Sequence, residues 1–212
     1  MDRSTPTTPD DGKQATVAAP TGNVIVPIGL ILGATVVLML VGWDLVTGKT
    51  DDGQSVIHQH NAINWLTAVC LIGAGYLAAA IGIRHRHRPG TDQSTWVLFP
   101  VGAGFLFGGC DEVFEIHERF GSWVLGVYLA GACLSLIWLL PVLARHRVPL
   151  LTFLAGMVGF AVAFACEAFC QTAADAGPPL SYVAYVEEVG EFTACLLFFL
   201  SMMTLYASKP PR

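Results

Sequence analysis

Six nearly uninterrupted apolar runs constrain this chain more than any other feature. They cover about Val24–Val46, Asn61–Ile83, Trp96–His117, Trp123–Leu143, Leu150–Ala173 and Tyr182–Tyr206. A helix needs roughly 20 apolar residues to cross the hydrocarbon core of a bilayer, and in lipid a backbone must satisfy its own N–H and C=O groups. Each run is therefore predicted to be a membrane-spanning helix. The breaks between them, "TGKTDDGQ", "RHRHRPGTDQ", "RFGS", "ARHRVP" and "DAGPP", are polar, and most carry Gly or Pro. The expected fold is all-α, a polytopic membrane protein built as a bundle of six transmembrane helices. Composition agrees: 54% of the 212 residues are hydrophobic and 13% charged, against about a quarter charged in a soluble domain.

The length allows one bundle and no second domain. Residues 1–23 are polar and rich in Pro and Thr, with no basic segment running into an apolar core. They are expected to form a disordered cytoplasmic tail rather than a signal peptide. Residues 24–207 form the transmembrane domain, and residues 208–212 a short cytoplasmic tail. Arg84, Arg86 and Arg88 follow the second run, Arg145 and Arg147 the fourth, and Lys209 and Arg212 the sixth. With six spans all of these fall on one side, which the positive-inside rule makes cytoplasmic. The expected location is the cell membrane, with both termini inside and only Lys49 and Arg119 toward the outer face. A net charge of −5 leaves no basic face for nucleic acid. The expected partners are the lipid bilayer and a small-molecule substrate.

Against this apolar background the acids are unevenly placed. All seven glutamates fall in three places: Glu112, Glu115 and Glu118 at the end of the third run, Glu167 in the fifth, and Glu187, Glu188 and Glu191 at the start of the sixth. At ~1.5 Å per helical residue, Asp111 and Glu112 lie roughly 13 Å below the membrane surface, Glu167 roughly 15 Å, and Glu188 and Glu191 roughly 12–16 Å. Three helices thus bring carboxyl groups to one level in the outer half of the bilayer. An ionised carboxylate there costs several kcal/mol unless it is paired, protonated or functional. Arg119 is placed to pair with Glu115, and the chain offers few other cations. Metal ions, shared protons or a polar ligand are needed to make the cluster tolerable.

Helical geometry divides the stretch "GGCDEVFEIHE". Asp111, Glu115 and Glu118 share a narrow face, Glu112 lies beside it, and His117 points elsewhere. Glu187, Glu188 and Glu191 are spaced to converge, and Glu167, Gln171 and Asp175 make a stripe. His58, His60, Asn61 and Asn64 add ligand-type groups at the start of the second run. The site is expected to be built by the second, third, fifth and sixth spans. As metal ligands the candidates are Glu112, Glu115, His117, Glu167, Glu188, Glu191 and His58. As catalytic groups they are Asp111, Glu112, Glu115, Glu118 and Glu191. Glutamates and histidines from facing helices suit iron or manganese, three ligands with an open position suit zinc, and an all-oxygen shell suits magnesium or calcium. A cofactor, where present, is expected to be a divalent metal, with iron, manganese or zinc favoured.

Other features read as structural. The six cysteines, Cys70, Cys110, Cys133, Cys166, Cys170 and Cys195, sit in apolar runs without C-x-x-C spacing, which fits small hydrophobic filler. Cys166 and Cys170 share a helix face, and Cys110 borders the acidic stretch. His85, His87 and His146 lie among arginines and read as interfacial. The pairs Gly29-x-x-x-Gly33 and Gly104-x-x-x-Gly108 are placed to let helices approach closely.

The segment "DEVFEIHE" resembles a [DE]-[DE]-x-F-x-x-H-E signature of multi-pass bacterial membrane proteins, carried here by Asp111, Glu112, Phe114, His117 and Glu118. In size and layout the chain also resembles small membrane diazotases of diazo-amino-acid biosynthesis. That resemblance implies conversion of an amine to a diazo group with nitrite-derived nitrogen. The residues themselves point to an integral membrane enzyme with a Glu/Asp/His-rich, metal-binding site acting on a small molecule. A proton- or cation-coupled transporter or sensor is the other class. The polar groups stop at mid-membrane and no inverted repeat is visible, which suits a pocket open on one side better than a path.

Overall fold

The six apolar runs fold as six α-helices in a computed structural model that describes residues 22–47, 62–86, 93–114, 116, 123–174 and 181–208. They are α1 (Gly22–Thr47), α2 (Ala62–Arg86), α3 (Leu98–Phe114, preceded by a 3₁₀ turn over Gln93–Val97), α4 (Trp123–Leu143), α5 (Arg147–Ala174) and α6 (Ser181–Ala207). No strand occurs among the described residues. Five helices are long and apolar enough to cross a membrane, and α1 adds a shorter apolar segment over Ile25–Val36. The chain is thus an all-α polytopic bundle. Residues 1–21, including nearly all of the expected tail, lie outside the described residues, as do His58, His60, Glu115, His117, Glu118 and Asp175.

Helix α6 is the hub. It packs against α1, α2 and α5, and 56% of its membrane window is buried, against 11% for α4. The side chains that close this core are concentrated at one end of the bundle. Leu98, Leu139, Leu143, Phe153 and Met202 come from four helices and are fully buried together. At about 25 cal/mol per Å² such burial drives soluble folding, but in lipid the outside is equally apolar. What holds these helices together is close fit. Ile31, Leu38, Trp65, Ile137 and Val158 accordingly stand outside, as a lipid-facing surface requires.

Small residues provide that fit, at positions other than one of the two pairs expected. A Cβ on Gly75 would lie 2.8 Å from the carbonyl oxygen of Gly102, and one on Gly102 would lie 2.9 Å from that of Gly75. Helices α2 and α3 therefore touch backbone to backbone. Further along, a Cβ on Gly109 would meet Ala68 O at 3.0 Å. Gly29 and Gly33 do face a neighbour, seating against Leu200 and Leu196 of α6. Gly104 does not: nothing lies within 4 Å of its Cβ position, and Gly108 meets only Leu71 Cδ1 at 3.4 Å. The expected Gly104-x-x-x-Gly108 contact is thus corrected to Gly102 and Gly109, which lie on a different face of α3.

The basic residues mark this same end of the bundle. Arg84 at the end of α2 donates from Nη1 to the carbonyl of Tyr206 at 2.8 Å, and its guanidinium lies over the Tyr206 ring, 4.8 Å from the centroid. Arg86 lies over Trp96 at 4.9 Å. Aromatic and basic groups paired in this way suit a membrane–water boundary. Helices α4 and α5 are joined at the same end by a tight turn, in which His146 N–H donates to Leu143 O at 2.7 Å. Inside it, the buried Ser201 hydroxyl donates to Pro149 O at 2.8 Å, tying α6 to α5.

Candidate functional site

The up-and-down order of the helices determines where the acids meet. Asp111 and Glu112 are near the C-terminus of α3, Glu167 is in the last two turns of α5, and Glu187, Glu188 and Glu191 are in the first turns of α6. All belong to the end opposite Arg84, Arg86, Arg145 and Arg147. Among them Asp111 is almost fully buried, at 2% exposure.

The acids do converge. The side chains of Glu112 and Glu191 are hydrogen-bonded to each other, and Asp111, Glu188 and Glu167 supply the other charges that act on Glu112. Three helices therefore contribute to one cluster. A hydrogen bond between two carboxyl groups requires one proton on the pair.

Beneath the cluster runs a cavity of about 310 Å³, at the small end of the range for small-molecule pockets, about 300–1,000 Å³. Its head is lined by Asp111, Glu112, Glu167, Glu187 and Glu191. Its body is apolar and aromatic, with Met157, Phe160 and Phe164 along α5 and Gly104 and Gly131 leaving space on α3 and α4. Three rings close the floor: Phe198 lies 5.1 Å from Phe153 and 5.6 Å from Phe105, centroid to centroid, both pairs tilted. From Glu187 to Phe198 is eleven residues of helix, so the cavity reaches roughly 16 Å along the bundle axis.

Helix α4 forms the fourth wall. Its C-terminal end is fixed in the core by Leu139, Val142 and Leu143. Toward its N-terminal end it stands off, with Trp123, Val127, Leu129 and Leu134 exposed. Tyr128 on that end lies beside Phe107, with centroids 6.4 Å apart, and brings its hydroxyl up to Asp111. Among the described residues no group meets that buried oxygen at hydrogen-bonding geometry.

Of the expected site residues, Asp111, Glu112, Glu167 and Glu191 line the cavity, and Glu188 is close enough to act on Glu112 without lining it. Glu115, His117, Glu118 and His58 lie outside the described residues. Among the described residues no group of three or more His, Cys, Asp or Glu side chains is arranged to hold a metal ion. The fourth span, left out of the expected site, contributes Tyr128, Gly131 and Ser135, whereas the second contributes Leu71 to the described lining. Among the described cysteine side chains, the one at the cavity is Cys195, buried one turn below Glu191. Cys110 and Cys133 are exposed on the outside of the bundle. Only the i, i+4 spacing of Glu191 and Cys195 pointed to this, and a cysteine in an apolar run does not stand out.

Residues 24–205 match the model of a protein family described as a domain of unknown function (DUF8692), so the chain belongs to that family. Neither the curated proteins nor the solved structures contain a match to it.

Proposed function

We propose that this member of the DUF8692 family is an integral membrane enzyme whose cavity holds a small molecule and whose proton-transfer centre is the carboxyl pair Glu112–Glu191. The observation that carries this reading is the side-chain hydrogen bond between those two residues at the head of the cavity. A proton held between two carboxyl oxygens from different helices is placed to be given to one atom of a bound molecule. The partner carboxylate is placed to take a proton from another. Positioned acid–base groups of this kind typically contribute about 10²–10⁴-fold in rate. Asp111 and Glu167 add negative charge beside the pair and stabilise positive charge that develops on the substrate. Apolar walls strengthen each of these interactions. No step in this reading passes through a metal.

The same reading places the cavity in the outer half of the membrane. Arg84, Arg86, Arg145 and Arg147 lie at the other end of the bundle and put that end in the cytoplasm by the positive-inside rule. Both termini are then cytoplasmic.

Mass-spectrometric comparison of small molecules and lipids from cells expressing the wild type, Glu112→Gln, Glu191→Gln or no protein tests the proposal. The expected result is a substrate–product pair that responds to the wild type alone. Identical extracts from all four, together with proton or cation flux through the wild type in sealed vesicles, would replace the enzyme with a transporter.

A further inference from the structure

The cavity has two chemically opposite ends, and that asymmetry describes its ligand. We infer that it takes an amphipathic molecule with a single ammonium-type head and an aliphatic tail, admitted from the bilayer beside α4. This inference rests on the cavity being the working site proposed above, and adds the substrate class.

Charge argues first. Five carboxyl groups face the head of the cavity, and among the described residues its lining contains no arginine, lysine or histidine. An anionic head would meet like charge in surroundings where the repulsion is poorly screened. A cationic head meets complementary charge on three sides, from α3, α5 and α6.

The second argument is an unused polar atom. The Tyr128 hydroxyl oxygen is buried at the head near Asp111, and among the described residues no group meets it at hydrogen-bonding geometry, a costly arrangement in an apolar setting. An ammonium carries three N–H donors and no acceptor. Such a group satisfies the phenol oxygen of α4 while its other donors reach the carboxylates across the cavity. A bare inorganic cation would explain the head alone and leave the apolar space beneath it without a purpose.

That space supplies the third argument. Below the acids the polar side chains of the described lining are Ser135 and Cys195, and the rest of the described body is apolar, with Phe105, Phe153 and Phe198 at the floor. A sugar or other polyol would leave its hydroxyls unpaired there. An alkyl chain fits the walls, and the bilayer is where such molecules are concentrated. Among the described residues α4 fully buries no side chain toward its N-terminal end, and open space lies beside Gly104 and Gly131, which is why entry from the bilayer is placed beside α4.

Photolabelling of the full-length protein in nanodiscs of zwitterionic lipid tests this. The probes are three dodecyl chains carrying the same tail diazirine, with an ammonium, a hydroxyl or a sulfate head. The ammonium probe is expected to label cavity-lining peptides of α3, α4 and α6 about tenfold more than the sulfate, a difference of about 1.4 kcal/mol. Gly104→Leu, which fills open space in the cavity, is expected to abolish the labelling. Tyr128→Phe is expected to shrink the preference for ammonium over hydroxyl while leaving tail labelling in place. If Gly104→Leu proves unstable on heating, competition by unlabelled dodecylammonium at the same peptides serves instead. Equal labelling by all three heads, or labelling untouched by both the filled cavity and the competitor, would overturn the inference. Head-selective labelling with unchanged cell extracts would keep the ligand class and remove the enzyme. A product lost in Glu112→Gln with no head selectivity would do the reverse.

Discussion

Glu112 on α3 and Glu191 on α6 are joined by a hydrogen bond between their side chains, at the level where α5 presents Glu167. On the proposed reading one proton serves both carboxyl groups, so either Glu→Gln change removes the shared arrangement while keeping nearly the same shape. Each single variant is expected to lose about 10²–10⁴-fold in activity, and the double variant little more, since residues that act as a unit are not additive. Infrared difference spectra give an independent readout: a protonated-carboxyl band in the wild type should be absent from both singles. Additive losses would separate the two residues.

The carboxyl pair and a metal centre make opposite forecasts on elemental analysis. With acid–base chemistry alone, purified wild type holds no stoichiometric iron, manganese or zinc, and chelator leaves activity intact. Stoichiometric metal in the wild type, lost in Glu112→Gln, would move the chemistry to an ion held with groups outside the described residues, such as His58 or His117.

Gly75 and Gly102 bring two backbones into contact, so neither tolerates a methyl group without a shift of the helices. Gly75→Ala and Gly102→Ala are each expected to lower stability by about 1–3 kcal/mol, read as a lower midpoint of thermal unfolding in detergent. Gly131→Ala, whose Cβ meets nothing within 4 Å, is the matched control and should unfold with the wild type.

Arg84 uses its guanidinium twice, on the Tyr206 carbonyl and on the Tyr206 ring. Lysine keeps the charge but lacks the planar fork that allows both contacts. Arg84→Lys is expected to cost about 1 kcal/mol, with hydrogen exchange faster over the last turn of α6 and unchanged near Glu191. Uniform exchange along α6 would show that the contact is incidental.

His146, in the turn between α4 and α5, is held below its ordinary pKa of 6.5, first by burial and then by the Arg145 charge. The unfolded chain therefore binds a proton there more readily than the folded one. The linked stability is complete above the unfolded value and is lost as pH falls through it toward the lower folded value. Thermal midpoints measured from about pH 8 down to pH 5 should fall less steeply in His146→Gln than in the wild type.

The fold was legible because lipid leaves a backbone few choices: six runs of the right length became six helices. The level of the acids was legible for the same reason, since helical rise converts residue number to depth. Two things were not. Which glycines touch a neighbour depends on how α2 and α3 are rotated about their axes, and a pair such as Gly104 and Gly108 carries no record of that rotation. The part played by Tyr128 was hidden because a tyrosine near a helix end reads as an interfacial anchor. Only the three-dimensional arrangement turns it toward Asp111.

Helix α4 is fixed at one end by Leu139 and Leu143 and stands away from its neighbours at the other. It therefore contributes to the shape of the cavity far more than to the cohesion of the bundle. Substitutions along its inner face, at Val127, Gly131, Ala132 and Ser135, change what the cavity admits at little cost to the rest of the fold. On the proposed reading α4 is the place where ligand preference can be changed, while the carboxyl-bearing helices opposite it keep the chemistry.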